Sequence, residues 1–151
     1  TDMNTLAIGN YYAGFEWGYN VAFWQSISPE NRRVLFNEMA YYLAEHRIAF
    51  DKDVEKAVDS AKEDGMTVAE PDQALKDALA EFVVADEATL IANAKDRGVK
   101  DPEAILTAFK ALVDKWDGLL AKVDTTDVDA LAALARSEIY DKLDETTYGV
   151  Y

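Results

Sequence analysis

The chain predicts a helix-dominated α/β fold with one long helix and few short strands, on three observations. Between Pro29 and Gly65 neither Pro nor Gly interrupts the chain, while large apolar residues recur at helical spacing. The passage Lys62 to Asp72 then reads helix, glycine, short β-type segment, proline and new helix start. Only two or three short stretches elsewhere have strand character, too few for a self-contained sheet. Either the chain is a helical domain with vestigial strands, or its strands join a sheet completed by another segment or another copy.

The elements follow in order. Leu6 to Trp24 gathers Tyr11, Tyr12, Phe15, Trp17, Tyr19, Phe23 and Trp24 around Gly9, Gly14 and Gly18. Aromatics favour strands and glycines permit turns, which predicts extended segments over Thr5–Ile8 and Glu16–Ala22. Residues 1–27 thus form a strand and pocket segment. Ser28-Pro29-Glu30 is a strong helix start: Ser caps free N–H groups, Pro is preset for the first turn, and Glu faces the positive end of the helix dipole. Val34, Leu35, Met39, Leu43, Phe50, Val54 and Val58 continue the stripe, giving one helix over 28–64 with a kink expected near Phe50-Asp51. At 1.5 Å per residue such a helix runs about 50 Å, longer than a small domain is wide, so it is expected to bridge packing layers.

Residues 65–151 are expected to hold a strand and the C-terminal helices. Gly65 provides a left-handed stop, Met66–Ala69 a short strand, and Asp72 the cap of a helix that carries Leu75, Leu79, Phe82, Val83, Leu90 and Ile91 as far as Gly98. Asp86-Glu87 reads as a break within it. Asp101-Pro102-Glu103 opens the next helix, whose apolar face includes Ile105, Phe109, Leu112 and Trp116. Val128, Leu131, Leu134 and Ile139 mark the last, within Thr126–Leu143. Phe82, Phe109 and Trp116 are expected in the core.

With 151 residues, half of them hydrophobic, the chain suffices for one domain with a real core, and 1–151 is read as a single unit. Fifteen Lys and Arg against 29 Asp and Glu give a formal charge of −14, which repels phosphate backbones and anionic headgroups and argues against nucleic-acid or membrane-surface partners. Without Cys there is no disulfide framework and no thiolate chemistry. No apolar run approaches a membrane span. Thr1–Thr5 shows no signal peptide, which is compatible with an export signal already removed.

Catalytic patterns fail one by one. His46 is the single histidine, and Leu43 stands three residues before it where a metal-binding helix would place Glu. Gly9 and Gly14 begin a phosphate-loop spacing, but Phe15-Glu16 stands where Lys-Ser/Thr must follow. Gly14 and Gly18 lie in an aromatic, turn-rich stretch, not in an apolar membrane helix. Solvated helix faces account for the many carboxylate pairs. Asp124-Thr125-Thr126-Asp127-Val128-Asp129 lacks the central Gly and terminal Glu of a calcium loop and reads as a helix cap. No catalytic residue, metal site or cofactor is expected, and the chain does not read as an enzyme. The aromatic cluster remains, large in apolar area and polar at its edges, and suited to lining a ligand pocket.

From Asn10 to Phe15, and through Gly18-Tyr19-Asn20-Val21-Ala22-Phe23-Trp24-Gln25-Ser26-Ile27-Ser28-Pro29-Glu30-Asn31-Arg32-Arg33-Val34-Leu35, the sequence resembles the solute-binding proteins of the tripartite ATP-independent periplasmic (TRAP) transporters. In that family an extended segment leads to a Trp, a Ser/Pro helix start and a long helix. Lys62–Pro71 is similar to the family's helix-Gly-strand-Pro passage, and Ile139–Leu143 with Tyr148-Gly149 to the tail of some members. The resemblance covers nearly the whole chain through order and spacing, without a catalytic signature. It implies the C-terminal portion of a two-lobe periplasmic-binding-protein fold with one long bridging helix. It further implies capture of a small organic acid anion, such as a dicarboxylate, for delivery to the TRAP membrane subunits, and a periplasmic location. None of Arg32, Arg33, Arg47, Arg97 or Arg136 falls at the family's carboxylate-binding arginine, so the anion clamp is expected outside this chain. What carries over as ligand-binding is the stretch before the long helix: Tyr11, Tyr12, Ala13, Phe15 and Trp17. The alternative is a self-associating helical module that forms a homodimer through its strands or aromatics; an enzyme ranks third.

Overall fold

The computed structural model describes residues 2–6 and 18–151. In chain order they form β1 (Asp2–Asn4), α1 (Val21–Ser26), α2 (Pro29–Glu63), β2 (Thr67–Ala69), α3 (Gln73–Asp96), α4 (Pro102–Leu120), α5 (Val128–Glu138) and a 3-10 turn at Tyr140–Lys142. Helix dominates, with two short strands, as the sequence predicts. Two compact units emerge. Among the described residues one comprises 2–6 and 58–121, and the other 18–57 and 122–151, so the 35 residues of α2 contribute to both.

In the first unit, β1 and β2 pair in parallel with Asp2 opposite Thr67 and Asn4 opposite Ala69. The strand starts earlier than the expected Thr5–Ile8; Thr5 still extends the ladder by donating its N–H to the Ala69 carbonyl at 3.1 Å, and residues 7–8 lie outside the described residues. α2 and α3 end alike. Gly65 and Gly98 adopt φ of 79° and 78°, and in each case the next amide folds back on the helix: Met66 N–H to the Ala61 carbonyl and Val99 N–H to the Ala94 carbonyl, both 2.9 Å. Only a residue without Cβ adopts that left-handed turn at no steric cost, which is why both glycines work as stops. Asp72 caps α3 by accepting from the Leu75 N–H at 2.8 Å. α3 then runs unbroken through Asp86-Glu87, contrary to the expected break, because two acidic residues of ordinary helix propensity do not interrupt a helix.

The core of the second unit is small and aromatic. The Trp24 and Phe36 rings meet at a tilt with 5.7 Å between centroids, and Phe36 meets Tyr148 edge-on at 5.7 Å and Tyr140 at 6.4 Å. Within this unit the buried residues of α2 are Arg32, Phe36, Ala40 and Ala44, each one helical turn from the next. The stripe of large residues expected to face inward does not: Val34, Leu43, Phe50 and Val54 are exposed. Below Phe36 the buried stripe is carried by alanines, whose methyls add little hydrophobic signal to the sequence. α2 also passes through Phe50-Asp51 as continuous helix. Of the extended structure expected over Glu16–Ala22, the end is corrected, since Val21 and Ala22 open α1, while residues 16–17 lie outside the described residues. The Asn20 side chain accepts from the amides of Ala22 (3.0 Å) and Phe23 (3.3 Å), and this local cap overrides the strand preference of the aromatics.

Phe82 and Phe109 are not core residues either, at 62% and 61% exposure, and Trp116 is half-buried. Helical periodicity identifies the face that seeks burial; it does not supply the layer that covers it.

Candidate functional site

Tyr11, Tyr12, Ala13, Phe15 and Trp17, the residues expected to line a pocket, all lie outside the described residues. The first side chain to follow them that the structure describes in contact is Tyr19. Its ring packs on Trp24 at 5.4 Å and Phe23 at 6.0 Å, and it borders an open groove of about 370 Å³. The rest of the groove comes from α2: Leu35, Glu38, Met39 and Tyr42, spaced i, i+3, i+4 and i+7 on one face, with Tyr41 and Glu45 at its edges. Leu35 and Met39 belong to the apolar stripe expected on this helix, whereas Tyr41 and Tyr42 are not part of it; the same helical spacing, read for aromatics, finds them.

The groove offers three aromatic rings and two carboxylates. The Tyr41 hydroxyl donates to Asp129 Oδ1 at 2.8 Å, and this bond to a carboxylate raises the phenol above its ordinary pKa. Tyr41 is therefore fixed as a neutral donor that ties α2 to α5. Tyr42 stacks at 5.9 Å with His46, which is exposed. No residue lining the groove is cationic, so charge complementarity for an organic anion does not come from these side chains.

The nearest guanidinium groups are engaged elsewhere. Arg32 is 5% exposed and donates to three backbone carbonyls: Nε to Trp24 (3.2 Å), one terminal nitrogen to Glu145 (2.9 Å) and the other to Gln25 (3.2 Å). It also lies over the Trp24 ring, 5.6 Å from the centroid. Arg33 bonds the carboxylate of Glu145 and the carbonyls of Tyr140 and Leu143. Adjacent arginines at the start of α2 thus grip the C-terminal tail, which the Trp24 indole N–H also holds by donating to the Tyr148 carbonyl at 2.8 Å. The tail runs so close that a Cβ on Gly149, whose φ is 69°, would stand 2.9 Å from Trp24 Nε1.

This grip has an acid-sensitive arm. The hydrogen bond and charge of Arg33 hold the Glu145 carboxyl below its usual range, and bonds from Thr146 do the same for Asp144. A folded-state pKa below the unfolded one adds stability above the unfolded carboxylate range, and that stability is lost as pH falls through the folded pKa. Acid is therefore expected to release the tail before the rest of the unit. Limited carboxypeptidase digestion at falling pH reads this out, and E145Q, already lacking the charge, is expected to show a weaker pH dependence.

The carboxylates of Asp124 and Asp127 make turn and cap bonds. Asp124 Oδ1 accepts from the amide (2.9 Å) and hydroxyl (2.7 Å) of Thr126, and Asp127 caps α5 through the amides of Asp129 and Ala130. Among the described residues no cluster of three His, Asp or Glu is placed to hold a metal ion. No helix among them is long and apolar enough to cross a membrane. Compared with protein-family models, curated proteins and solved structures, the chain matches none.

Proposed function

We propose that this chain is the C-terminal portion of an extracytoplasmic solute-binding protein of the TRAP type, which captures a small organic acid anion in the periplasm and presents it to the membrane subunits of the transporter. The complete protein has two lobes in this reading, and the chain does no chemistry. The observation that carries it is α2: a single helix of 35 residues whose residues divide between two compact units, followed at once by a strand that pairs in parallel with the chain's first strand. Ligand recognition is divided. The stretch of Tyr11, Tyr12, Ala13, Phe15 and Trp17 supplies the pocket wall in this reading, while the cation that recognises carboxylate comes from a preceding segment. Arg32 and Arg33 support that division, because their donors already serve the tail.

Isothermal titration with succinate, malate and pyruvate tests the reading on the 151-residue chain and on the longer protein that contains it. The longer protein is expected to bind one of these acids, and the chain alone to bind it at least ~100-fold more weakly, the equivalent of about 2.7 kcal/mol for a lost charge-assisted contact. Trp17→Ala in the longer protein is expected to weaken binding roughly tenfold. Equal affinity of chain and longer protein, or a Trp17→Ala variant that binds as well as its parent, sinks the idea.

A further inference from the structure

The unit built from β1, β2, α3 and α4 has a feature that solute binding does not use. Among its described residues only Ala61 and Pro102 are buried, so no large side chain is taken out of water. α3 and α4 run antiparallel, tied by ion pairs from Lys95 to Glu103 and from Lys110 to Glu87. Between them lies an open, apolar groove of about 320 Å³, lined by Leu90, Ile91 and Ala94 of α3 and Ile105, Leu106 and Phe109 of α4. Along the hairpin Phe82, Val83, Leu90, Ile105, Phe109 and Leu112 are each 50–62% exposed. Two helices that bury so little leave a large apolar face in water. The face is built to be covered.

We propose that a second copy of the chain covers it, the α3–α4 hairpins of two molecules packing face to face as a four-helix bundle about a two-fold axis. Area argues for this occupant. The six side chains together present on the order of 700 Å² of largely apolar surface, close to the ~800 Å² that each partner brings to a standard stable interface. A two-fold axis asks that one patch complement itself, and an apolar groove between two antiparallel helices does so without any other feature. This interface differs from a dimer made through the N-terminal strands or aromatics, because it uses neither.

The chain's charge sets the salt dependence. Each copy carries a formal −14, so two copies repel, and screening by salt relieves the repulsion without touching apolar contacts. Sedimentation equilibrium of the 151-residue chain at low and high micromolar concentration is expected to show a monomer–dimer equilibrium that tightens with added sodium chloride. Phe109→Glu and, separately, Leu112→Lys are expected to weaken it at least tenfold with the helical circular dichroism of the monomer retained, since both positions are already open in one copy. Phe23→Glu, which changes an exposed aromatic of the other unit, is expected to leave it unchanged. A chain that stays monomeric at every concentration overturns the proposal, as does a dimer that salt loosens, that survives both hairpin variants, or that Phe23→Glu breaks.

Discussion

Arg32→Ala is expected to destabilise the chain by about 3–5 kcal/mol, because three backbone carbonyls lose a donor together. The guanidinium fork meets carbonyls of Trp24 and Gln25, both on α1, and of Glu145 on the tail. No solvent replaces those bonds at 5% exposure, so truncation leaves carbonyls without donors at a cost of roughly 1–3 kcal/mol each. The stem and the cation above the Trp24 ring are lost as well. Urea denaturation followed by far-ultraviolet circular dichroism measures the change. Arg32→Lys should recover little, because a point ammonium does not reproduce a planar fork aimed at three separated carbonyls. Arg33→Ala should cost less, its side chain being 28% exposed and its salt bridge open to water. An Arg32→Ala variant with wild-type midpoint and slope would leave the tail held by other means.

What the sequence made legible follows from how local each signal is. The starts and stops of α2 and α3 depend on residues a few positions apart, Ser28-Pro29, Gly65, Asp72 and Gly98, and they stand where expected. β2 was legible for the same reason: a strand between a glycine stop and a proline has little room to be elsewhere. Burial is not local. Large apolar residues on α2 marked the wrong stripe because the buried one consists of Phe36 with Ala40 and Ala44, and alanine carries little hydrophobic signal. Phe82 and Phe109 were placed in a core by periodicity alone, yet the second layer needed to bury them is not among the described residues of their unit. Arg32 was weighed only as an anion ligand. Nothing in its neighbours announces a tail more than a hundred residues later, so its grip on Glu145 emerges only once the chain has folded. Tyr19, Tyr41 and Tyr42 gave a weaker version of the same problem: a groove requires knowing which residues sit side by side, and α2 supplies that only after its register is known.

Phe36→Ala is expected to cost about 3–5 kcal/mol, comparable to Arg32→Ala but by a different route. Phe36 is 2% exposed and is the largest side chain so completely buried among the described residues. Its ring is the hub that Trp24, Tyr140 and Tyr148 all touch, and the Arg33 guanidinium lies 5.4 Å from its centroid. Removing the ring leaves a cavity whose walls are held by hydrogen bonds that resist collapse: Trp24 to the Tyr148 carbonyl, and Arg33 to the Tyr140 carbonyl. A cavity that does not relax gives the upper part of the range. Phe36→Leu, which keeps most of the volume but loses the ring contacts, is expected to cost roughly 1–2 kcal/mol, and comparing it with Phe36→Ala separates packing from aromatic geometry. Near-ultraviolet circular dichroism reports both losses, because Trp24, Tyr140 and Tyr148 take their fixed environments from this one ring. If Phe36→Ala unfolds at the wild-type urea concentration with that spectrum intact, the aromatic hub does not hold the unit together, and the two arginines with their carbonyl partners are left as its principal fastening.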